Sequence, residues 1–140
     1  MTYDDIRSII EKRLANEFAK SPNYEISWEN VDFTPPNNTI WLQAFLRYGD
    51  SAYMTMLSPS SSGMDRQNGT LTINVFSPVG TGMASNLTVC ARVKSLFNRV
   101  NLSDGIRFDA ASGPNIVTPS QPPSFIQNQL TVTFEAYINS

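Results

Sequence analysis

The sequence predicts an α+β fold in which two main helices pack on a mixed, mostly antiparallel sheet. Two segments have apolar residues at helical spacing, and several shorter segments alternate apolar and polar residues as strands do. The predicted order along the chain is helix, strands, helix, strands, which is typical of this fold class. A length of 140 residues suits a single domain spanning residues 1–140.

The first predicted helix covers residues 3–19, where apolar residues recur at every fourth position. This stripe consists of Ile6, Ile10, Leu14 and Phe18. Thr2 and Asp5 have the spacing of a capping box, with Asp in place of the usual Glu or Gln. Both features favour a helix that begins at residue 3.

Strands are predicted at 25–28 and 39–48, separated by a proline turn at 35–38. Both faces of the strand at 39–48 are apolar in part, so it is either a central strand or one that faces a partner subunit. One face holds Ile40, Leu42, Ala44, Leu46 and Tyr48, and the other holds Trp41, Gln43, Phe45 and Arg47. The Gly-Asp pair at 49–50 is predicted to be a tight turn into a strand at 52–57.

The second half of the chain repeats this alternation of element types. A helix is predicted at 83–99, with a buried stripe of Met83, Leu87, Cys90, Val93 or Lys94, and Phe97. Further strands are predicted at 70–77, 106–110, 115–117 and 129–137.

A glycine pair between a strand and a helix, Gly80 and Gly82, invites a nucleotide-binding interpretation. However, Ser85 stands where the third glycine of the dinucleotide fingerprint belongs, and no phosphate-binding lysine follows. The glycines are better explained by a tight turn after Pro78, with Thr81 or Ser85 capping the helix.

The residue inventory limits the available chemistry. The chain has no histidine, which excludes Ser-His-Asp and Cys-His nucleophiles and zinc sites with histidine ligands. Its single cysteine, Cys90, cannot form an internal disulfide and lies on the apolar stripe of a predicted helix, so a buried inert thiol is expected. No metal site with histidine or thiolate ligands is therefore expected.

Carboxylate pairs are the remaining candidates for acid–base catalysis. Three pairs lie close in sequence: Asp4 with Asp5, Glu25 with Glu29, and Asp104 with Asp109. None has a spacing that demands catalysis, and acidic residues in the first turn of a helix stabilise it in any case. We therefore expect no enzymatic activity.

Charge argues against a nucleic-acid or membrane partner. Ten basic and twelve acidic residues give a net charge of −2. This balance argues against nucleic-acid binding, which requires a basic patch that contacts the phosphates. No apolar run approaches the length of a membrane span. The acidic N-terminus lacks the apolar core of a signal peptide, so no signal peptide is expected.

Two regions are candidates for contact with other subunits. Trp41, Phe45 and Arg47 share one strand face, as in single-stranded nucleic-acid platforms, but the acidic balance favours a face covered by a helix or a neighbouring subunit. The polar stretch 58–69 is predicted to be a loop, within which Met64 and Arg66 are the expected contact residues.

One stretch resembles a known family. Residues 69–82, Gly-Thr-Leu-Thr-Ile-Asn-Val-Phe-Ser-Pro-Val-Gly-Thr-Gly, and a following helix that ends Val93-Lys-Ser-Leu-Phe resemble bacteriophage tail terminator (tail-completion) proteins with a lambda-like fold. The element order agrees, since an amphipathic helix, an aromatic strand after a proline turn and a long final strand surround this stretch. Family members usually have Gln in the strand after the first glycine, where this chain has Thr72.

The resemblance implies a structural virion protein without a cofactor. Proteins of this type resemble one another in forming hexameric rings that cap the finished tail tube, stop its polymerisation and present a surface to the head connector. The implied partners are other copies of the chain, the tail tube protein and the head–tail connector protein, with DNA only passing through the lumen. The implied location is the neck region of the virion tail.

Two alternatives remain open at this point. One is another neck or head-completion protein, or a tail tube subunit. The other is a small ligand-binding or enzymatic α+β domain, which could be monomeric with a concave polar pocket.

Overall fold

The computed structural model describes residues 2–36, 38–53, 64–102, 105–118, 120 and 124–139. Within these ranges two helices and six strands follow one another along the chain. They are α1 (Tyr3–Phe18), β1 (Glu25–Ser27), β2 (Trp41–Tyr53), β3 (Met64–Pro78), α2 (Ala84–Phe97), β4 (Ile106–Phe108), β5 (Ser112–Val117) and β6 (Phe125–Asn139). The predicted α+β class is confirmed.

The strands form one sheet in the order β1-β2-β3-β6-β4, and β5 also pairs with β6. The three long strands β2, β3 and β6 are antiparallel, whereas the short β1 runs parallel to β2. Both β4 and β5 pair with β6, β4 near residues 134–136 and β5 near residues 127–131. The sheet is therefore mixed and mostly antiparallel, as predicted.

Helix α1 begins where the capping box predicts. The Thr2 hydroxyl accepts a hydrogen bond from the Asp5 backbone N–H at 3.1 Å, and the Asp5 carboxylate accepts one from the Thr2 N–H at 2.9 Å. The hydrogen bond from the Thr2 backbone N–H, and after it the interaction of the Thr2 hydroxyl with the carboxyl group, lower the pKa of Asp5. All four predicted stripe residues of α1 are buried.

Helix α2 was predicted at nearly the observed bounds, but its buried stripe was partly wrong. Leu87 is 44% exposed, whereas Asn86 and Val89 are buried instead. Asn86 tolerates burial because its amide nitrogen donates to Ser77 Oγ at 2.9 Å and its oxygen accepts from the Asn128 amide at 2.7 Å. These bonds attach the first turn of α2 to β3 and β6.

The entry to α2 also differs in its cap. The N-cap residue is Met83, without a side-chain cap, and the Thr81 hydroxyl donates to the Pro78 carbonyl instead. Gly80 and Gly82 have φ of 91° and 82°, values that side chains strongly disfavour. The predicted tight turn is confirmed, but the predicted caps at Thr81 and Ser85 are wrong.

The tight turn predicted at Gly49 and Asp50 is wrong, because β2 continues through it to Tyr53. The register between β2 and β3 shifts between Tyr48 and Ser51, so Gly49 and Asp50 lie at a β-bulge. A bulge inserts an extra residue without reversing the chain, which explains why turn-forming residues fit there. Residues 54–57 of the predicted second strand lie outside the described residues.

The loop predicted at 58–69 is wrong for its second half. Residues 64–69 form the first part of β3 and pair with β6, and residues 65–67 and 69 pair with β2 as well. This central position supplies backbone partners that the polar sequence gives no sign of. Residues 58–63 lie outside the described residues.

The core lies between the sheet and the two helices, which share one face of it. Its largest fully buried side chains include Phe97, Phe134, Ile6, Ile10, Leu14, Leu42, Leu71 and Ile73. The predicted alternation of the last strand is confirmed, since Leu130, Val132, Phe134 and Ala136 all face this core. The opposite side of the sheet, which we call the second face, has a different composition.

Candidate assembly surface

The second face is the side of β2, β3 and β6 that points away from both helices. It brings Trp41, Phe45 and Arg47 together on one strand, as predicted. On β3 these three residues are paired with Phe76, Thr72 and Thr70 respectively. The neighbouring positions of β6 are Gln127, Thr131 and Thr133.

An aromatic cluster closes one end of the second face. The Trp41 indole stacks on the Phe76 ring with centroids 4.1 Å apart, Phe125 meets it edge-on at 5.7 Å, and Phe33 lies at 5.2 Å. Trp41 is only 4% exposed as a result. Its predicted role in a subunit contact stays a prediction, and within the subunit its indole packs against these three rings.

A row of amides crosses the middle of the second face. The Asn74 amide nitrogen donates to Gln43 Oε1 at 2.9 Å, and the Gln129 amide nitrogen donates to Asn74 Oδ1 at 3.2 Å. Asn74 is 3% exposed although it is on the side without helices. The row joins three strands, and sequence reasoning missed it because its members are 31 and 55 residues apart.

Phe45 and Arg47 lie next to this row, at the edge of the sheet. The Arg47 guanidinium lies 4.8 Å from the Phe45 ring centroid and donates to Glu29 Oε2 at 3.0 Å. Glu29 also accepts from Arg7 and, at 2.7 Å, from the Leu46 backbone N–H. Burial alone would raise the pKa of Glu29, but these hydrogen bonds together lower it.

Arg66 lies on β3, four residues from the position opposite Arg47. Its Nε is 3.7 Å from the Glu135 carboxylate, which also pairs with Arg107 at 3.0 Å. The structure therefore places Arg66 on the second face with a partner, and not in a loop. Met64 is the first residue of β3, and the packing of its side chain lies outside the description.

The cysteine and the candidate acidic residues that the structure describes have structural surroundings. Burial raises the pKa of the Cys90 thiol to about 11, so the thiol is protonated and inert at neutral pH. Asp109 accepts a hydrogen bond from the Thr133 hydroxyl at 2.8 Å, while Asp104 lies outside the description. Among the described residues no group of three or more acidic or cysteine side chains could hold a metal ion.

A groove of about 550 Å³ lies between α1 and α2 on the outer side of the helices. Its apolar part consists of Ile9, Leu96 and Leu102, and its basic part of Lys12, Arg13 and Lys20. Arg13 is held by the Leu96 carbonyl at 2.9 Å. Neither of these helices is long and apolar enough to cross a membrane.

Comparison with known proteins was made against families, curated sequences and solved structures. The profile of a family described as phage tail terminator protein matches residues 5–117, from the first turn of α1 to the end of β5. Several solved structures match the chain, and one of them does so with a TM-score of 0.71 and 25% sequence identity, over 97% of this chain and 96% of the other. No curated protein sequence matches the chain.

Proposed function

The chain belongs to the phage tail terminator family, and from this premise we propose that it forms a ring that caps the tail tube. The family is one of structural proteins, which makes the chain a component of the phage tail. The match over residues 5–117, which spans both helices and five of the six described strands, is the observation that supports the proposal most directly.

The proposed ring contains six copies joined head to tail, and it stops tube polymerisation and joins the tube to the head connector. It assembles in the host cytoplasm and stays in the neck region of the virion. Head-to-tail contacts use two different patches of each subunit and close into a ring when the rotation allows it. The groove between α1 and α2 is a candidate for one of these patches.

We assign contact with the tube or with a neighbouring subunit to the charged half of the second face. Phe45 and Arg47 are accessible there, and Arg is enriched among the residues that dominate interface energies. Arg66 on β3 extends the same patch, and Met64, the first residue of β3, is assigned the same contact role from the sequence. Trp41 supports it from within the subunit, because its indole holds the aromatic cluster beside it.

DNA passes through the proposed ring without being held. The whole chain has a net charge of −2. The arginines at this side of the sheet each contact a carboxylate, Arg47 that of Glu29, and Arg66 together with Arg107 that of Glu135. If the protein bound DNA phosphates, the release of counterions would make its affinity for DNA fall steeply as the salt concentration rises. We expect a gel-shift titration at low salt to show little binding, and a micromolar affinity with a steep salt dependence would favour a nucleic-acid-binding role instead.

The direct test is to add the purified protein to tail tubes that lack a terminator and to image their ends. We expect ring-shaped caps and an end to tube growth. The double variant Phe45→Ala with Arg47→Ala should cap fewer ends, whereas Val79→Ala, the truncation of an exposed apolar side chain just beyond the far end of β3, should not. Tubes that keep growing without caps in the presence of wild-type protein would contradict the proposal.

A further inference from the structure

A turn between β1 and β2 presents an apolar side chain and a carboxylate together. Asn30, Val31 and Asp32 are all exposed, and Val31 is 59% exposed. We call these three residues the apex. Asp32 has no hydrogen bond or ion pair to any other part of the described chain.

The apex is fixed on both sides, although it is exposed. Before it, Trp28 packs on the main core and its carbonyl accepts the Val31 N–H at 3.4 Å. After it, Phe33 packs on Trp41 in the aromatic cluster. Asn30 has a φ of 58°, which turns the chain outward between these anchors. A protrusion held this way loses little conformational entropy when a partner binds it.

The groove between α1 and α2 has the complementary chemistry. It offers Ile9, Leu96 and Leu102 to an apolar side chain and the ammonium group of Lys12 to a carboxylate, whereas Lys20 already lies 3.9 Å from the Glu17 carboxylate. The single carboxylate in its wall, Glu17, is already paired with Arg92 at 3.1 Å. Apolar residues beside a lysine match an apolar side chain next to a carboxylate, which favours a protein segment as the occupant of the groove.

We propose that the apex of one subunit binds in the groove of a second copy of this chain. This inference rests on the proposed ring, because it names the two unlike patches that a head-to-tail contact requires. Val31 packs against the apolar part of the groove, and Asp32 pairs with Lys12. Opposite charges also steer the two patches towards each other and penalise other pairings.

Charge reversal tests the pairing, because the contact is directional. Asp32→Lys and Lys12→Glu should each weaken self-association at low salt by tenfold or more, measured by analytical ultracentrifugation. A mixture of the two variants should associate again, because each altered patch then meets an altered partner. Asp4→Lys, an exposed acidic residue outside the apex, serves as the control and should associate as the wild type does.

A cysteine pair tests the geometry independently of charge. Val31→Cys combined with Asn16→Cys, the latter in the groove wall, should give a ladder of disulfide-linked oligomers on oxidation. The native Cys90 is buried and does not interfere. Val79→Cys combined with Asn16→Cys is a matched control, because Val79 is also 59% exposed, and it should give no ladder.

Three outcomes separate this contact from the proposed function. If wild-type protein caps tubes but the cysteine pair gives no ladder and the charge variants associate normally, the contact is wrong and the ring stands. If Lys12→Glu abolishes capping without any ladder, the groove binds another virion protein, which overturns the second copy as occupant. If wild-type protein never caps tubes, the proposed function itself fails.

Discussion

The two faces of the sheet differ in what their side chains contact. Leu42 and Ile73 on one face are covered by α1 and α2 and belong to a single apolar cluster. On the second face, an aromatic cluster, a row of amides and a set of paired charges follow one another from end to end. Burial by helices thus stabilises the subunit from one side, and the other side keeps polar groups that a partner can recognise.

The largest expected effect is a truncation on the helix-covered face. Phe134 is 2% exposed and its ring contacts those of Phe108 and Tyr48. Phe134→Ala should lower the free energy of unfolding by roughly 3–5 kcal/mol, because it leaves a cavity in the core. Urea denaturation measures this, and a loss of less than about 1 kcal/mol would show that this face is not the main source of stability.

Truncation of two aromatic residues on the second face should have different effects on stability. Trp41→Ala should cost roughly 3 kcal/mol, because the indole is buried among three rings. Phe45→Ala, two residues away and half-buried, should cost less than about 1 kcal/mol and act mainly on assembly. Melting temperature and ring formation should be measured on both variants, and equal destabilisation would mean that the whole face is core.

Sequence periodicity predicted the helix-covered face well and the second face poorly. The stripe of α1 and the alternation of β6 arise from burial of apolar residues, which leaves a period in the sequence. The burial of Trp41 depends on Phe33, Phe76 and Phe125, which come from three different parts of the chain. Polar residues that pair across strands, such as Asn74, leave no period at all.

The errors in the fold have the same origin. Leu87 fits the stripe of α2 by hydrophobicity, but Asn86 is buried because partners on β3 and β6 satisfy its amide. The first residues of β3 are polar, yet they lie between two strands that supply their backbone hydrogen bonds. In each case the structure depends on residues that are distant in sequence, so the local sequence could not predict it.

On the helix-covered face, the dependence of stability on pH tests the burial of the Cys90 thiol. The pKa of Cys90 is about 11 in the folded protein against 9.0 for the free thiol, so the unfolded chain loses this proton first as the pH rises. The thiol therefore contributes stability below pH 9 that is lost between pH 9 and 11, up to roughly 2.5 kcal/mol. Urea denaturation at several pH values should show this slope in the wild type.

The control for this measurement is Cys90→Ala. All other side chains are the same in the two proteins, so the difference in stability between wild type and variant isolates the thiol. If the two proteins lose stability in parallel from pH 9 to 11, the Cys90 thiol ionises as readily when folded as when unfolded.

The smallest expected effect is at the boundary between the two faces, where Glu29 joins Arg7 of α1 to Arg47 of the second face. Its pKa is lowered on folding, so its stabilisation is present above the ordinary pKa of 4.5 and lost as the pH falls through the folded value. Glu29→Gln should cost up to about 1 kcal/mol at pH 7. The gap between Glu29→Gln and wild type should narrow as the pH falls below 4.5, and a gap that stays constant would contradict this contribution of the carboxylate.

The hydrogen bond from Leu46 to Glu29 has a consequence for aggregation. Beyond β1, the outer edge of β2 would otherwise offer this backbone N–H to any extended chain in the cell. An incoming strand would first have to displace a carboxylate that two arginines hold in place. The sheet therefore resists growth into open-ended fibrils at this position, and association is directed towards side-chain contacts that can close on themselves.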